Sequence, residues 1–274
     1  MPIHWYPGHM ATARAEIKKA LPQVDVVIEV LDARIPSSSA NPLITELRGN
    51  KPCIQILNKV DLADPAVTEL WMTHLREVPG IHTLAHHQKQ TNLLRTLSTL
   101  ARSLVNTTRA RPVQAMIVGI PNVGKSTLIN TLAGRTLART SNKPAITQMQ
   151  QRVQVGEIVL FDTPGFLWHK LSEVGGYRLA VTGAISDRVT DYQDLANFAA
   201  QFLMARYPTA LAKAYGLTEA PTETLPLLET VGRRRGYLQR GGVIDVQRAA
   251  ERLILDLREG VFGPISLERP GDPG

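Results

Sequence analysis

A single cysteine, Cys53, excludes an internal disulfide and fits a reducing compartment. It sits in the apolar stretch Cys53 to Leu57, which predicts a core position. No apolar run approaches the roughly eighteen residues of a membrane-spanning helix. Met1 to His4 lack a basic stretch ahead of an apolar one, so no secretory signal is expected. Internal repeats and long low-complexity segments are missing as well. His82, His86 and His87 lie close together without further ligands at a fitting spacing, so they read as solvated loop histidines rather than a metal site. Acids are in deficit, 24 against 31 bases, and the net charge of +7 suits a polyanionic partner. The 274 residues, 43% of them hydrophobic, suffice for one domain of ordinary size and a smaller one.

The most informative stretch is an apolar strand, Ala115 to Val118, running into Gly119-Ile120-Pro121-Asn122-Val123-Gly124-Lys125-Ser126 and then a helical pattern carrying Leu128, Ile129, Leu132 and Ala133. This is the P-loop spacing in its strand–loop–helix setting. Its glycines let backbone N–H groups from Asn122 through Val123, Gly124 and Thr127 turn toward phosphate oxygens, aided by the positive end of the helix. Lys125 would reach the β- and γ-phosphates, and the Ser126 hydroxyl would ligate Mg²⁺. Asn58-Lys59-Val60-Asp61 follows the Cys53–Leu57 strand and has the pattern that reads guanine. The Asp61 carboxylate can accept from guanine N1–H and the 2-amino group together, whereas adenine would leave it badly paired. Lys59 would lay its stem along the base, and Asn58 would tie this loop to the P-loop. Asp162-Thr163-Pro164-Gly165 follows a strand downstream. Asp162 would hold Mg²⁺ through water, and the Gly165 N–H would sense the γ-phosphate. The nucleotide is therefore GTP.

The rest of the chain reads as alternating elements. Helices are predicted over residues 11–22, 41–47, 64–75, 93–104, 192–207 and 246–257. Strands are predicted over 24–31 and 81–84, and as a pair turning near Gly156 within 152–161. Residues 106–112 read as a linker and 268–274 as a loose tail. Asp32 and Arg34 close the first strand; they are either functional or an ion pair that shapes the loop. Phe166-Leu167-Trp168 follow Gly165, where many GTPases carry a water-orienting glutamine, so intrinsic turnover should be slow. The arginines Arg233, Arg234, Arg235 and Arg240, with Tyr237 among them, form an RNA-backbone patch in preference to a solvated charge run.

The guanine-reading motif precedes the P-loop, the reverse of an ordinary GTPase. On that order, and on His4 to Met10, Asp32-Ala33-Arg34-Ile35-Pro36, Asn41-Pro42, Asp162 to Gly165 and Gly232 to Gly236, the chain resembles the circularly permuted GTPases of the YlqF/RbgA family of ribosome-assembly factors. The resemblance covers nearly the whole chain. It implies an α/β fold: a P-loop GTPase with a three-layer, mostly parallel sheet, circularly permuted over residues 1–174, then a small all-helical RNA- and ribosome-binding domain over 175–274. It implies that Thr147 is the switch residue reaching Mg²⁺ and the γ-phosphate, although Ala145 stands where the family usually has glycine. It implies that a backbone N–H near Ala85 touches the guanine carbonyl, although the usual Ser-Ala pair is replaced by Leu84-Ala85-His86. It implies that Asn122 helps to hold K⁺, and that His9 positions the attacking water unless it only makes a structural hydrogen bond. The implied role is GTP-dependent maturation of the large ribosomal subunit through its rRNA, by a bacterial cytoplasmic monomer without membrane attachment, an organelle matrix being less favoured. The competing readings are a nucleotide-gated RNA-binding module with incidental hydrolysis and a GTPase of small-subunit assembly.

Overall fold

The computed structural model describes residues 7–88, 90, 92–105, 111–134, 151–168, 171–185 and 191–272. The apolar runs become strands: β1 (Val26–Asp32), β2 (Cys53–Asn58), β3 (Ile81–His86), β4 (Val113–Gly119), β5 (Gln151–Val155) and β6 (Ile158–Asp162). They form one six-stranded sheet in the order β3-β2-β1-β4-β6-β5. Every neighbouring pair is parallel except the β5–β6 hairpin, which turns at Gly156. β1 and β2 are buried at every position, the reason they read as continuous apolar runs.

The strand order contains one reversal, and it places the site. The chain steps outward from β1 through β2 to β3, then returns so that β4 lies beside β1, with Val26 opposite Ala115 and Val30 opposite Gly119. The two central strands run the same way, so the loops that follow them open side by side. Doubly wound sheets bind ligands at such a switch point. The loop after β2 adds a third wall.

Helices cover both faces. On one, Ile17 of α1 (Pro7–Ala20) and Ile44 of α3 (Pro42–Arg48) pack on Val27, Cys53, Met116 and Phe161. On the other, Leu97 of α5 (Leu93–Leu104) and Ile129 of α6 (Lys125–Ala133) pack on Ile28, Ile54 and Ile117. α4 (Pro65–Arg76) sets Val67 and Trp71 against Leu31 and Leu57. Its start is written in the sequence: Asp64 accepts from the N–H groups of Ala66 and Val67, and Pro65 occupies the first turn. The short α2 (Pro36–Ser39) follows β1. After β6 come α7 (Glu173–Val181), α8 (Tyr192–Arg206), α9 (Pro208–Ala214), α10 (Thr224–Arg235) and α11 (Val246–Arg258). Leu179, Leu203, Val231 and Leu253 join them in a seam continuous with the sheet's α5–α6 face.

Three expectations need correction. α1 begins at Pro7, earlier than the apolar spacing suggests, because Pro7 suits a first turn. His86 is not a solvated loop residue: it ends β3, is 1% exposed, and faces Gln90 through Nδ1 at 3.4 Å. Glu268 is not in a loose tail, since residues 265–268 are buried. Cys53 lies in the core, where burial pushes its thiol well above the ordinary range. Among the described residues no helix is long and apolar enough to cross a membrane.

Candidate nucleotide site

The loop from β4 to α6 curls tightly. Asn122 and Gly124 have positive φ, 56° and 95°, and Gly124 caps α6 without a side chain. A Cβ on Gly124 would collide with Asn58 Nδ2, so a side chain there would displace Asn58 as well as strain the backbone. Asn58 Nδ2 donates to Val123 O at 2.9 Å. Lys59, itself at φ 63°, reaches across the P-loop and donates to Asn122 O at 2.9 Å and to the Asp32 carboxylate at 2.8 Å. The two sequence motifs are thus stitched together at two points. Asp61 is exposed, and its negative charge acts on Arg34, Lys59 and His86. Ala85 is half-buried and pairs with Leu57, one residue before Asn58, on the neighbouring strand.

At the phosphate end, Lys125 is buried and ion-paired with Asp162 at the tip of β6. Asp162 pairs with Ile117 in the sheet, and the Thr163 hydroxyl donates to Ile117 O at 2.9 Å, which fixes the start of this switch loop. A Cβ on Gly165 would come within 3.1 Å of Pro121 N, so a side chain there would press the loop after β6 a few tenths of an ångström off the P-loop backbone. Ser126 and Thr127 are half-buried in the first turn of α6. One hydroxyl, of Ser126, and one carboxylate, of Asp162, suit Mg²⁺, which takes few protein ligands and completes its shell with water and phosphate oxygens. Among the described residues no cluster of three or more His, Cys, Asp or Glu offers a protein-only metal cage. Phe166 and Leu167, in place of a glutamine, are buried in the two cores flanking the sheet.

Asp32 and Arg34 form the ion pair that shapes the loop after β1, and Lys59 joins it. Arg34 Nε and Nη2 donate to the Asp32 carboxylate at 2.9 and 2.8 Å, with both side chains buried. Burial alone would raise the Asp32 carboxyl, but Arg34 and Lys59 hold it far below the usual range. Asp32 therefore stays charged and anchors Lys59. Arg34 Nη2 also donates to Thr182 O at 3.2 Å, and Asn122 Nδ2 donates to the next carbonyl, Gly183 O, at 2.8 Å. Neither carbonyl stands out in sequence. Thr147 lies outside the described residues, and for His9 only the backbone, in α1, is described.

The arginine patch ends α10. Arg234 donates to Gly216 O at 3.0 Å, and Arg235 pairs with buried Asp256 at 3.3 Å. Arg233 and Arg240 are exposed and make no ion pair among the described residues. The Arg248 guanidinium lies 4.4 Å above the Tyr237 ring, covering one of its faces.

Residues 114–203 match the family model described as 50S ribosome-binding GTPase. Ribosome biogenesis GTPase A of Bacillus pumilus is 44% identical over 98% of this chain and 99% of its own length. Mitochondrial ribosome-associated GTPase 1 of Bos taurus is 32% identical over 97% of this chain and 88% of its own. The crystal structure of GNP-bound YlqF from T. maritima superposes with a TM-score of 0.69 at 27% identity, covering 96% of this chain and all (100%) of that one.

Proposed function

The chain belongs to the family of ribosome biogenesis GTPase A, and from that premise we propose that it is a GTPase of ribosome assembly whose partner is the large subunit and its rRNA. The observation that carries the site is the double tie, Asn58 to Val123 and Lys59 to Asn122, which makes one cleft of the base-reading and phosphate-binding loops. In that cleft the triphosphate lies along the N–H groups of residues 122–127, and Lys125 turns from Asp162 to the β- and γ-phosphates. Asp162, released from Lys125, and Ser126 would hold Mg²⁺, which would supply positive charge to offset that on the phosphate oxygens. Gly165 N–H reports the γ-phosphate, and Thr147 completes that switch. Asp61 selects guanine, with a backbone donor near Ala85 at the carbonyl. Phe166 and Leu167 cannot hydrogen-bond water, so turnover is slow alone, and His9 is the group proposed to orient the water. With its amide nitrogen engaged by Gly183 O, Asn122 has its carbonyl oxygen left to ligate K⁺. The GTPase unit ends ahead of α7, since a boundary between 174 and 175 would cut that helix, and the helical unit follows, with Arg233, Arg234, Arg235 and Arg240 facing RNA. The protein works as a cytoplasmic monomer without membrane attachment.

Substituting Asp61 tests the reading directly. Xanthine carries a carbonyl where guanine carries its 2-amino group, so Asp61→Asn can accept from N1–H and donate to that carbonyl. The variant should lose GDP affinity by about a hundredfold and gain xanthosine diphosphate, read by calorimetric titration of both. Unchanged GDP binding by Asp61→Asn would remove the basis for the base-reading assignment.

A further inference from the structure

We infer that residues 262–268 form a strap that positions the guanine-reading loop, so that base selectivity depends on the C-terminal end of the chain. The inference rests on the reading of Asp61 given above. After α11 the chain turns at Gly260 and Gly263, with φ of 75° and 79°, and leaves the helical part. It then runs between the loop after β1 and the loop after β2. Ile265 N donates to Leu62 O at 2.9 Å, and Leu267 N donates to Arg34 O at 2.8 Å. Between them Ser266 Oγ accepts from Asp64 N at 3.1 Å. Ile265 and Ser266 thus hold the loop after β2, and Leu267 holds the loop after β1. Leu62 is the immediate neighbour of Asp61.

Glu268 fixes the far end. Its carboxylate accepts from Ser38 N at 3.0 Å, from Ser37 N and from Ser38 Oγ, and it pairs with Arg178 Nη1 of α7 at 3.2 Å. Its carbonyl accepts from Trp71 Nε1 at 3.2 Å. Glu268 is 1% exposed and Leu267 0%, so this end is a built contact between the tail and α2, α4 and α7, next to the loop after β1. Tyr207 reinforces the middle, its hydroxyl lying 3.2 Å from both Asp64 Oδ2 and Ser266 O.

Past the ties made by Asn58 and Lys59, the loop needs this support because its own bonds are few. Val60 N donates to His86 O at 3.3 Å, and Leu62 N and Ala63 N close turns onto Lys59 O and Val60 O at 2.9 and 3.4 Å. Asp61 itself is exposed. Its two-point contact with the base requires placement within a fraction of an ångström. Without the strap, Leu62 O and Asp64 N lose their partners and the loop can settle elsewhere.

The experiment uses the full chain and compares GDP with inosine diphosphate, which lacks the 2-amino group, so the ratio of affinities reports Asp61's placement. Glu268→Ala should lower that ratio about tenfold. Ser266→Ala, which removes only the oxygen that holds Asp64 N, should lower it in the same direction, and Glu268→Gln, which keeps an acceptor for Ser37 and Ser38, should recover most of it. Circular dichroism and thermal melting establish that each variant is folded; loss of fold alone would not change the ratio in the folded fraction. Should Glu268→Ala fail to fold, Ser266→Ala decides alone. A wild-type preference for GDP that persists unchanged in folded variants overturns the strap. Equal affinities of the wild type for the two nucleotides overturn the Asp61 reading, and the strap with it.

Discussion

Glu29 shows how single side chains in the sheet serve the site at a cost in stability. It stands mid-strand in β1, 2% exposed, where its carboxylate accepts from Asn41 N at 3.0 Å and from Gln55 Nε2 at 2.9 Å. Asn41 in turn donates through Nδ2 to Phe166 O at 3.4 Å, so the carboxylate steadies the loop that follows Gly165. Burial pushes the Glu29 carboxyl above its usual value, and its hydrogen bonds and Arg48 only partly oppose this. A raised folded value means the unfolded chain ionises first as pH rises. Stability is therefore lost between the ordinary carboxylate range and the folded value, and the loss is complete above both. Glu29→Gln keeps an acceptor for Asn41, and a flipped Gln55 can accept from its amide, so only the charge is removed. The variant should be more stable than wild type by about 1 kcal/mol at pH 8, with the gain fading toward pH 5. Urea unfolding at both pH values checks this; a gain that is the same at both, or a loss at pH 8, contradicts it. Asp32 is the opposite case, a buried carboxylate kept charged because two cations face it.

Among the elements, the turn from β4 into α6 tolerates the least change. Gly124 sits at φ 95° with Asn58 Nδ2 where a Cβ would go. Gly124→Ala must strain the backbone, by about 1–3 kcal/mol, and push Asn58 off Val123 O. GDP affinity should fall at least a hundredfold, about 3 kcal/mol, by equilibrium titration, with a modest drop in melting temperature. Near-normal affinity would show that the tie between the loops is dispensable. This turn was legible in the sequence because its chemistry is local: the glycines, Lys125 and Ser126 are consecutive or nearly so, and Asn58 to Asp61 form one short run. The apolar runs that became β1 and β2 were legible for the same reason. What was hidden depends on chain distant in sequence. Glu268 meets Ser38 across 230 positions, and in a Pro- and Gly-rich end it looks like a solvated charge. His86 is buried because β3 continues two residues past its apolar signal, to pair with Asn58. α7 and α9 are short and lack a clear apolar period, so packing rather than pattern defines them. In the sequence Phe166 and Leu167 say only what they cannot do, while their burial says what they do: they anchor the loop after β6 in the two cores.

At the scale of the whole molecule, the nucleotide site and the helical part meet at the C-terminal end of α7. A helix leaves its last carbonyls unpaired, and here other elements take them. Asn122 of the P-loop donates to Gly183 O, Arg34 of the loop after β1 to Thr182 O, and Arg258 of α11 to Val181 O and Ala180 O at 3.1 and 2.8 Å. α7 follows the Asp162–Gly165 loop in the chain, so if that loop reports the γ-phosphate as proposed, the change has a short path to α11 and to the arginines beside it. Binding to ribosomal particles should therefore depend on the nucleotide, and sedimentation with large-subunit particles should differ between a GTP analogue and GDP. The electrostatic share of that binding is testable at the same bench. Arg233 and Arg240 are exposed and without ion pairs among the described residues, whereas Arg234 and Arg235 are already engaged. Replacing each of the first two with alanine should weaken binding and lower the slope of log affinity against log salt by about 1 per arginine. Arg235→Ala should act on stability as well, since it leaves buried Asp256 with one fewer cation. If the salt slope is unmoved by the Arg233 and Arg240 substitutions, the patch does not touch a phosphate backbone, and the net charge of +7 must serve a different surface.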